Sequence, residues 1–148
     1  MPATRDLDTR YREDFDYNLT CAAGAVLYKG TIVGLNAAGQ AGNFNATFPR
    51  AAGVLYLRAR DVQGVNSTPE PTVLGDIIQV RRGCHRLPQN GSITIANIGQ
   101  VARGMDDNLV GLAGGIAPVG VIEQVDADGF VWVDFSISRA PVAGNGYI

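Results

Sequence analysis

From Cys21 onward the apolar residues come in short runs rich in Val, Ile, Leu, Tyr and Phe. Gly, Asn, Asp or Pro interrupts them about every eight to twelve residues, which is the grammar of strands and turns. A chain of 148 residues with 46% hydrophobic residues has enough material for one buried core, so a single folded unit is expected. Its nineteen glycines and seven prolines follow no fixed period, which excludes a collagen-like chain and implies many turns. The fold class expected is all-β: a small antiparallel β-barrel or β-sandwich, jelly-roll-like, with an extended N-terminal arm.

The arm is residues 1–20, the β domain 21–138 and an extended tail 139–148. Charges of both signs fill Met1 to Tyr17, among isolated Leu7, Tyr11, Phe15 and Tyr17, with no useful apolar stripe. Such a terminus gains order by docking its aromatics on a neighbour. Strands are expected over Val26–Tyr28, Thr31–Leu35, Val54–Asp61 and Gly75–Val80, the last continuing through Arg81 and Arg82 toward Leu87. Asn36 to Gly39 and Asn90-Gly91 supply turns, and Gly42 to Arg50 and Gly64 to Pro71 supply loops. In Val54–Asp61, the face of Leu55, Leu57 and Ala59 is expected in the core. Ile93 to Ile98 reads equally as a strand or one helical turn. Val101–Gly104 and Leu109–Leu112 form a hairpin, and Pro118–Val125 and Phe130–Ile137 form another around Asp126-Ala127-Asp128-Gly129. Phe130, Val131, Trp132, Val133 and Phe135 cannot all enter one core, because successive strand side chains diverge. A second sheet or a partner must cover one side.

The residue inventory offers little chemistry. Net charge is −2 and no basic face suits nucleic acid. Eleven of the twelve basic residues are arginine, with Lys29 the lone lysine, a bias that suits planar multidentate contacts. No apolar run is long enough to cross a bilayer, so no membrane partner is expected. Cys21 and Cys84 are distant in sequence and read as buried free thiols. The one histidine, His85, adjoins Cys84, but neighbours on a strand point apart and make no catalytic dyad. Two cysteines and one histidine fall short of a zinc site, and neither Asp106-Asp107-Asn108 nor Asp126–Gly129 has the distal Glu of a calcium loop. No glycine-rich loop leads into a helix as a nucleotide site requires. No catalytic residue, metal or cofactor is assigned.

Several segments of the C-terminal half occur in an order that resembles a known family: Gly83-Cys84-His85-Arg86-Leu87-Pro88, Ser92-Ile93-Thr94, Ile98-Gly99-Gln100-Val101-Ala102, Asp106-Asp107-Asn108-Leu109-Val110, Ala117-Pro118-Val119-Gly120-Val121-Ile122 and Gly129-Phe130-Val131-Trp132-Val133-Asp134-Phe135. The order is similar to tailed-bacteriophage head decoration proteins, and the likeness covers roughly Gly24 to Ser138. It implies a small β-rich cement protein made in the host cytoplasm, which binds the outer surface of an assembled capsid, often as a homotrimer, and clamps adjacent major capsid subunits. A phage tail or baseplate module that binds surface glycan on Trp132 and Tyr56 is the alternative. Partner contacts are expected at Arg5, Arg10, Tyr11, Arg12, Phe15, Tyr17 and Trp132.

Overall fold

The computed structural model describes residues 16–59 and 70–135 of the chain. Ten strands make two antiparallel five-stranded sheets. The first five are β1 (Asp16–Thr20), β2 (Ile32–Leu35), β3 (Ala41–Asn43), β4 (Arg50–Leu57) and β5 (Ile77–Arg81). The second five are β6 (Cys84–Leu87), β7 (Val101–Gly104), β8 (Val110–Gly111), β9 (Ala117–Val125) and β10 (Val131–Asp134). The first sheet runs β1-β5-β4-β2-β3 and the second β6-β10-β9-β7-β8. The chain passes between them at Arg82 and Gly83, where Gly83 takes a φ of +94° that costs other residues strain. The architecture is a β-sandwich. It is not a closed barrel, because the outer strands of each sheet meet only through one bridge, Cys21 to Ala41 in the first and Gln89 to Val110 in the second.

Adding five to every strand number of the first sheet gives the order of the second. The match extends to detail. The register slips between Val33 and Gly34 on β2 against β4, and between Ala102 and Arg103 on β7 against β9. The Gly30 amide donates to the Leu55 carbonyl at 3.0 Å and the Gly99 amide to that of Ile122 at 2.8 Å. Leu55 and Ile122 in turn donate to Thr31 and Gln100, each at 2.9 Å. Gly53 and Gly120 hold equivalent places, and a Cβ on either would strike a carbonyl of the neighbouring strand, Arg81 O at 2.8 Å or Asp134 O at 2.3 Å. The chain therefore contains one five-stranded unit twice.

Each unit has its own core. Cys21, Ala25, Leu27, Val33, Leu35, Ala41, Ala52, Leu55, Ile78 and Val80 pack together on one face of the first sheet. Their counterparts in the second unit include Ile93, Ala102, Val110, Val119, Ile122, Val131 and Val133, and this second core also takes Ile32, Phe44, Ala51 and Val54 from the other face of the first sheet. The first sheet is thus buried on both sides. That explains why Ala51 to Leu55 are all buried, where alternation predicts one buried face only. Phe44 fits because β7 ends in Gly104, whose missing Cβ would lie 2.2 Å from the Phe44 ring. The corresponding position of the first unit is Leu35, so only the second unit has this socket.

Several local expectations change, and the open reading of Ile93–Ile98 resolves. The strand expected over Val54–Asp61 runs instead from Arg50 to Leu57, and the one expected to continue from Val80 through Arg82 toward Leu87 divides at Arg82 and Gly83 into β5 and β6 of different sheets. Asp16–Thr20, placed in the arm, is a strand paired along its length with β5. Val26–Tyr28 is a loop, since side chains take its carbonyls: Asn43 Nδ2 donates to Val26 O at 2.8 Å and Arg58 Nε to Leu27 O at 3.0 Å. Ala41–Asn43 pairs with β2 at the start of the expected loop, and the Phe48 ring closes over Gly42, where a Cβ would lie 2.8 Å away. Ile93–Ile98 contains a single 3-10 turn, Ile95–Asn97, whose start is held by the Thr94 amide donating to Asn97 Oδ1 at 2.8 Å. Both expected hairpins form as β7–β8 and β9–β10. The C-terminal tail and most of the arm lie outside the described residues.

Candidate functional site

Trp132 stands on β10 between Val131 and Val133, which are fully buried, so it faces away from the core and is half-buried. Its indole N–H donates to both oxygens of Asp126, at 3.2 and 3.1 Å. Arg86, across from Trp132 on β6, donates through Nε to Asp126 Oδ2 at 2.8 Å, pairs with Asp128 and lies 4.2 Å over the Phe130 ring. Gln124 adds a third donor to Asp126 at 2.9 Å. The Arg86 guanidinium, with smaller help from Trp132 and Gln124, holds the Asp126 carboxyl below its ordinary range. The polar groups of this cluster satisfy one another. Beside it an open depression of about 580 Å³ runs between Thr94, Ile95 and Ala96 on one side and Val125, Asp126 and Ala127 on the other.

On the first unit Tyr17 lies beneath the Arg82 guanidinium at 4.3 Å, and Tyr56 beneath that of Arg81 at 3.9 Å. Arg81 also grips Asp16 with two hydrogen bonds, at 2.7 and 3.0 Å, which depresses the Asp16 carboxyl. Such exposed pairs add little stability, but they fix the direction of the side chains. The turn leading into β5 is different. Val73, Leu74 and Ile77 are 61%, 63% and 61% exposed, although the backbone beneath them is firmly tied. The Asp76 amide closes the turn on Val73 O at 3.0 Å, Asp76 Oδ2 accepts from the Val73 amide at 2.8 Å, and the Gly75 amide donates to Cys21 O at 3.1 Å. The turn thus holds three apolar side chains in water on a hydrogen-bonded backbone.

The two cysteines are free and differ in setting. Cys21 is buried, which together with Asp76 pushes its thiol up to about 11. Cys84 is exposed, against the expectation that both are buried, because it lies on the outer face of an edge strand. Partial burial, then Asp134 and Glu123, raises its pKa and keeps it a thiol, the poorly nucleophilic form. His85 faces the other way. Its Nε2–H donates to the carbonyls of Arg81 at 3.0 Å and Arg82 at 3.2 Å, and its ring meets Phe135 edge-on at 5.8 Å. Burial lowers its pKa, so the ring stays neutral and serves the crossing between the sheets. Among the described residues no three His, Cys, Asp or Glu side chains group as metal ligands.

Of the contact residues expected from sequence, Arg5, Arg10, Tyr11, Arg12 and Phe15 lie outside the described residues. Tyr17 and Trp132 are on different sheets, each engaged with a neighbour, and the structure does not bring them together. Sequence reasoning passes over Val73, Leu74, Ile77, Ile95 and Ile98. A signal was present in Val73-Leu74-Gly75-Asp76, where a turn that ordinarily carries polar residues has two large apolar ones. Comparison with family models, with curated proteins and with solved structures returns no match in any of the three.

Proposed function

We propose that this chain is a non-enzymatic structural protein of the virion. It binds the outer surface of a tailed-phage capsid, as a homotrimer, and stabilises the shell by clamping adjacent major capsid subunits. The observation that supports this reading is the turn at Val73, Leu74 and Ile77, where three neighbouring large apolar side chains lie in water on a hydrogen-bonded backbone. The order of segments from Gly83 to Phe135 supplies the kind of partner. The glycan-binding alternative draws less support, since Arg81 occupies one face of Tyr56, and Tyr56 and Trp132 stand on different sheets.

The test is cosedimentation of the purified protein with expanded capsid shells that lack it, followed by heating of bare and decorated shells. Saturable binding and a higher disruption temperature for decorated shells are expected. Shells that neither retain the protein nor gain resistance contradict the reading.

A further inference from the structure

Several turns of this chain are closed by an Asn or Asp side chain that accepts the amide two residues on. Asn36 Oδ1 takes the Ala38 amide at 3.0 Å, Asn45 Oδ1 the Thr47 amide at 2.9 Å, Asn90 Oδ1 the Ser92 amide at 3.1 Å and Asp128 Oδ1 the Phe130 amide at 3.1 Å. Each bond closes a ring that holds the side-chain carbon against the amide of the residue between. In the first two turns that residue is Ala37 or Ala46, whose Cβ stands beside its amide. In the last it is Gly129, but the Gly129 amide already donates to Asp126 O at 2.9 Å, and Asp128 is paired with Arg86, which leaves a carboxylate that is a poor electrophile.

Gly91, which follows Asn90, is unlike all of these. The turn holds it at a φ of +91°, where L side chains are rarely found, so the position calls for glycine and no Cβ covers its amide. Among the described residues no group accepts from that N–H. Asn90 and Gly91 are both exposed, and Gly91 opens on a depression of about 200 Å³ shared with Gln89, Asp128 and Phe130, so water reaches the pair. The Ser92 hydroxyl donates to Asn90 Oδ1 at 2.5 Å while it accepts from the Leu112 amide at 3.1 Å. Two donors, one backbone and one hydroxyl, thus draw electrons from the Asn90 side-chain carbonyl, and the unengaged Gly91 nitrogen lies next to its carbon.

We infer that Asn90 is a site of self-modification, where the side-chain amide converts to a carboxylate through a cyclic imide formed with Gly91 and assisted by the Ser92 hydroxyl. Hydroxide or water takes the Gly91 amide proton and the nitrogen attacks Asn90 Cγ. A new N–Cγ bond forms, the Cγ–Nδ2 bond breaks, and Nδ2 takes a proton and leaves as ammonia. Water then adds to either carbonyl of the imide ring and opens it, which gives an aspartyl residue or a β-linked isoaspartyl residue. Water is the only co-reactant, and the step is independent of the capsid reading. The isoaspartyl product lengthens the backbone by one methylene beside the closure of the second unit, where the Asn90 amide donates to Val110 O at 3.0 Å and the Val110 amide to Pro88 O at 3.1 Å.

The experiment incubates the full chain and its Ser92→Ala variant in mildly alkaline buffer and follows tryptic peptides by mass and fragmentation over time. Cleavage after Arg86 and Arg103 releases Asn90 and Asn97 on one peptide, and fragmentation tells them apart. A gain of about 1 Da placed at Asn90, with an isoaspartyl fraction, is expected, while Asn36, Asn45 and Asn97 keep their amides and Asp128 its ordinary linkage. Asn145, the other Asn that precedes a glycine, serves as the comparator. In Ser92→Ala, conversion should be several-fold slower at Asn90 and unchanged at Asn145. An Asn90 that keeps its amide throughout, or one that converts as fast in Ser92→Ala as in the unmodified chain, overturns the inference.

Discussion

The same five-stranded unit occurs twice in this chain, and the two copies cover themselves differently. At the turn into its fifth strand the second unit carries Asp126 and Asp128 with Arg86, Gln124 and Trp132 around them, a polar cluster closed on itself. The first unit carries Val73 at the Asp126 position and Asn18 at the Arg86 position, and leaves Leu74 and Ile77 in water. The units also differ where they meet, since Phe44 of the first fills a socket that Gly104 opens in the second. One backbone plan tolerates either chemistry at a loop end. What it does not tolerate is a change at Gly53 or Gly120, where strand meets strand.

The largest effect should come from the joint between the units. Phe44→Ala is expected to cost about 3–5 kcal/mol in urea unfolding, because a fully buried ring is removed from a close-packed site. Gly104→Leu, which gives the second unit the residue of the first, should destabilise by about 1–3 kcal/mol through its clash with the ring. The double variant should fall well short of the summed loss, since the new leucine fills the space that the ring leaves. Simple additivity would mean that Phe44 and Gly104 do not share that socket.

Next come the paired glycines. Gly120→Ala and Gly53→Ala should each destabilise by roughly 1–3 kcal/mol, Gly120 because its Cβ would meet a carbonyl oxygen at 2.3 Å and Gly53 because a φ of +152° adds backbone strain to a contact at 2.8 Å. A neutral result at either site would break the equivalence of the units.

Smaller still is a pH effect confined to the crossing between the sheets. The pKa of His85 is lowered in the fold, so its stabilisation is complete above its unfolded value near 6.5 and is lost as pH falls through the lower folded value. The urea midpoint should therefore decline modestly from pH 7 to pH 5, and His85→Gln should flatten that decline. The smallest effect is expected for Arg86→Ala, whose ion pairs lie in water: only a slight loss in melting temperature at low salt, vanishing at high salt.

Much of this fold is legible in the chain. The alternation through Ile77 and Ile78, the β7–β8 and β9–β10 hairpins and the turn at Asn36–Gly39 follow from apolar period and turn residues, which act locally. The repeat is not legible, for a physical reason. Equivalent residues lie 69 apart at Gly30 and Gly99, 67 apart at Gly53 and Gly120, and 53 apart at Val80 and Val133, because the connection from the fourth to the fifth strand is longer in the first unit. No single period survives that change, and few positions beyond Leu19 and Leu87, Gly42 and Gly111 and the pairs just named keep the same residue. The burial of Val54 was hidden too, because the second unit that covers it is distant in sequence. Trp132 was visible as an outward aromatic, but its hydrogen bond to Asp126 joins a strand to its turn through side chains six residues apart, which no apolar period announces.

The most direct measurement is amide hydrogen exchange of the full chain, free and bound to capsid shells that lack it. Protection is predicted over 72–77, where Val73, Leu74 and Ile77 lie in water, rising as shells are added, with the polar turn at 126–130 little changed. Protection absent from 72–77, or confined to the sheet faces around Tyr56 and Trp132, would contradict the account.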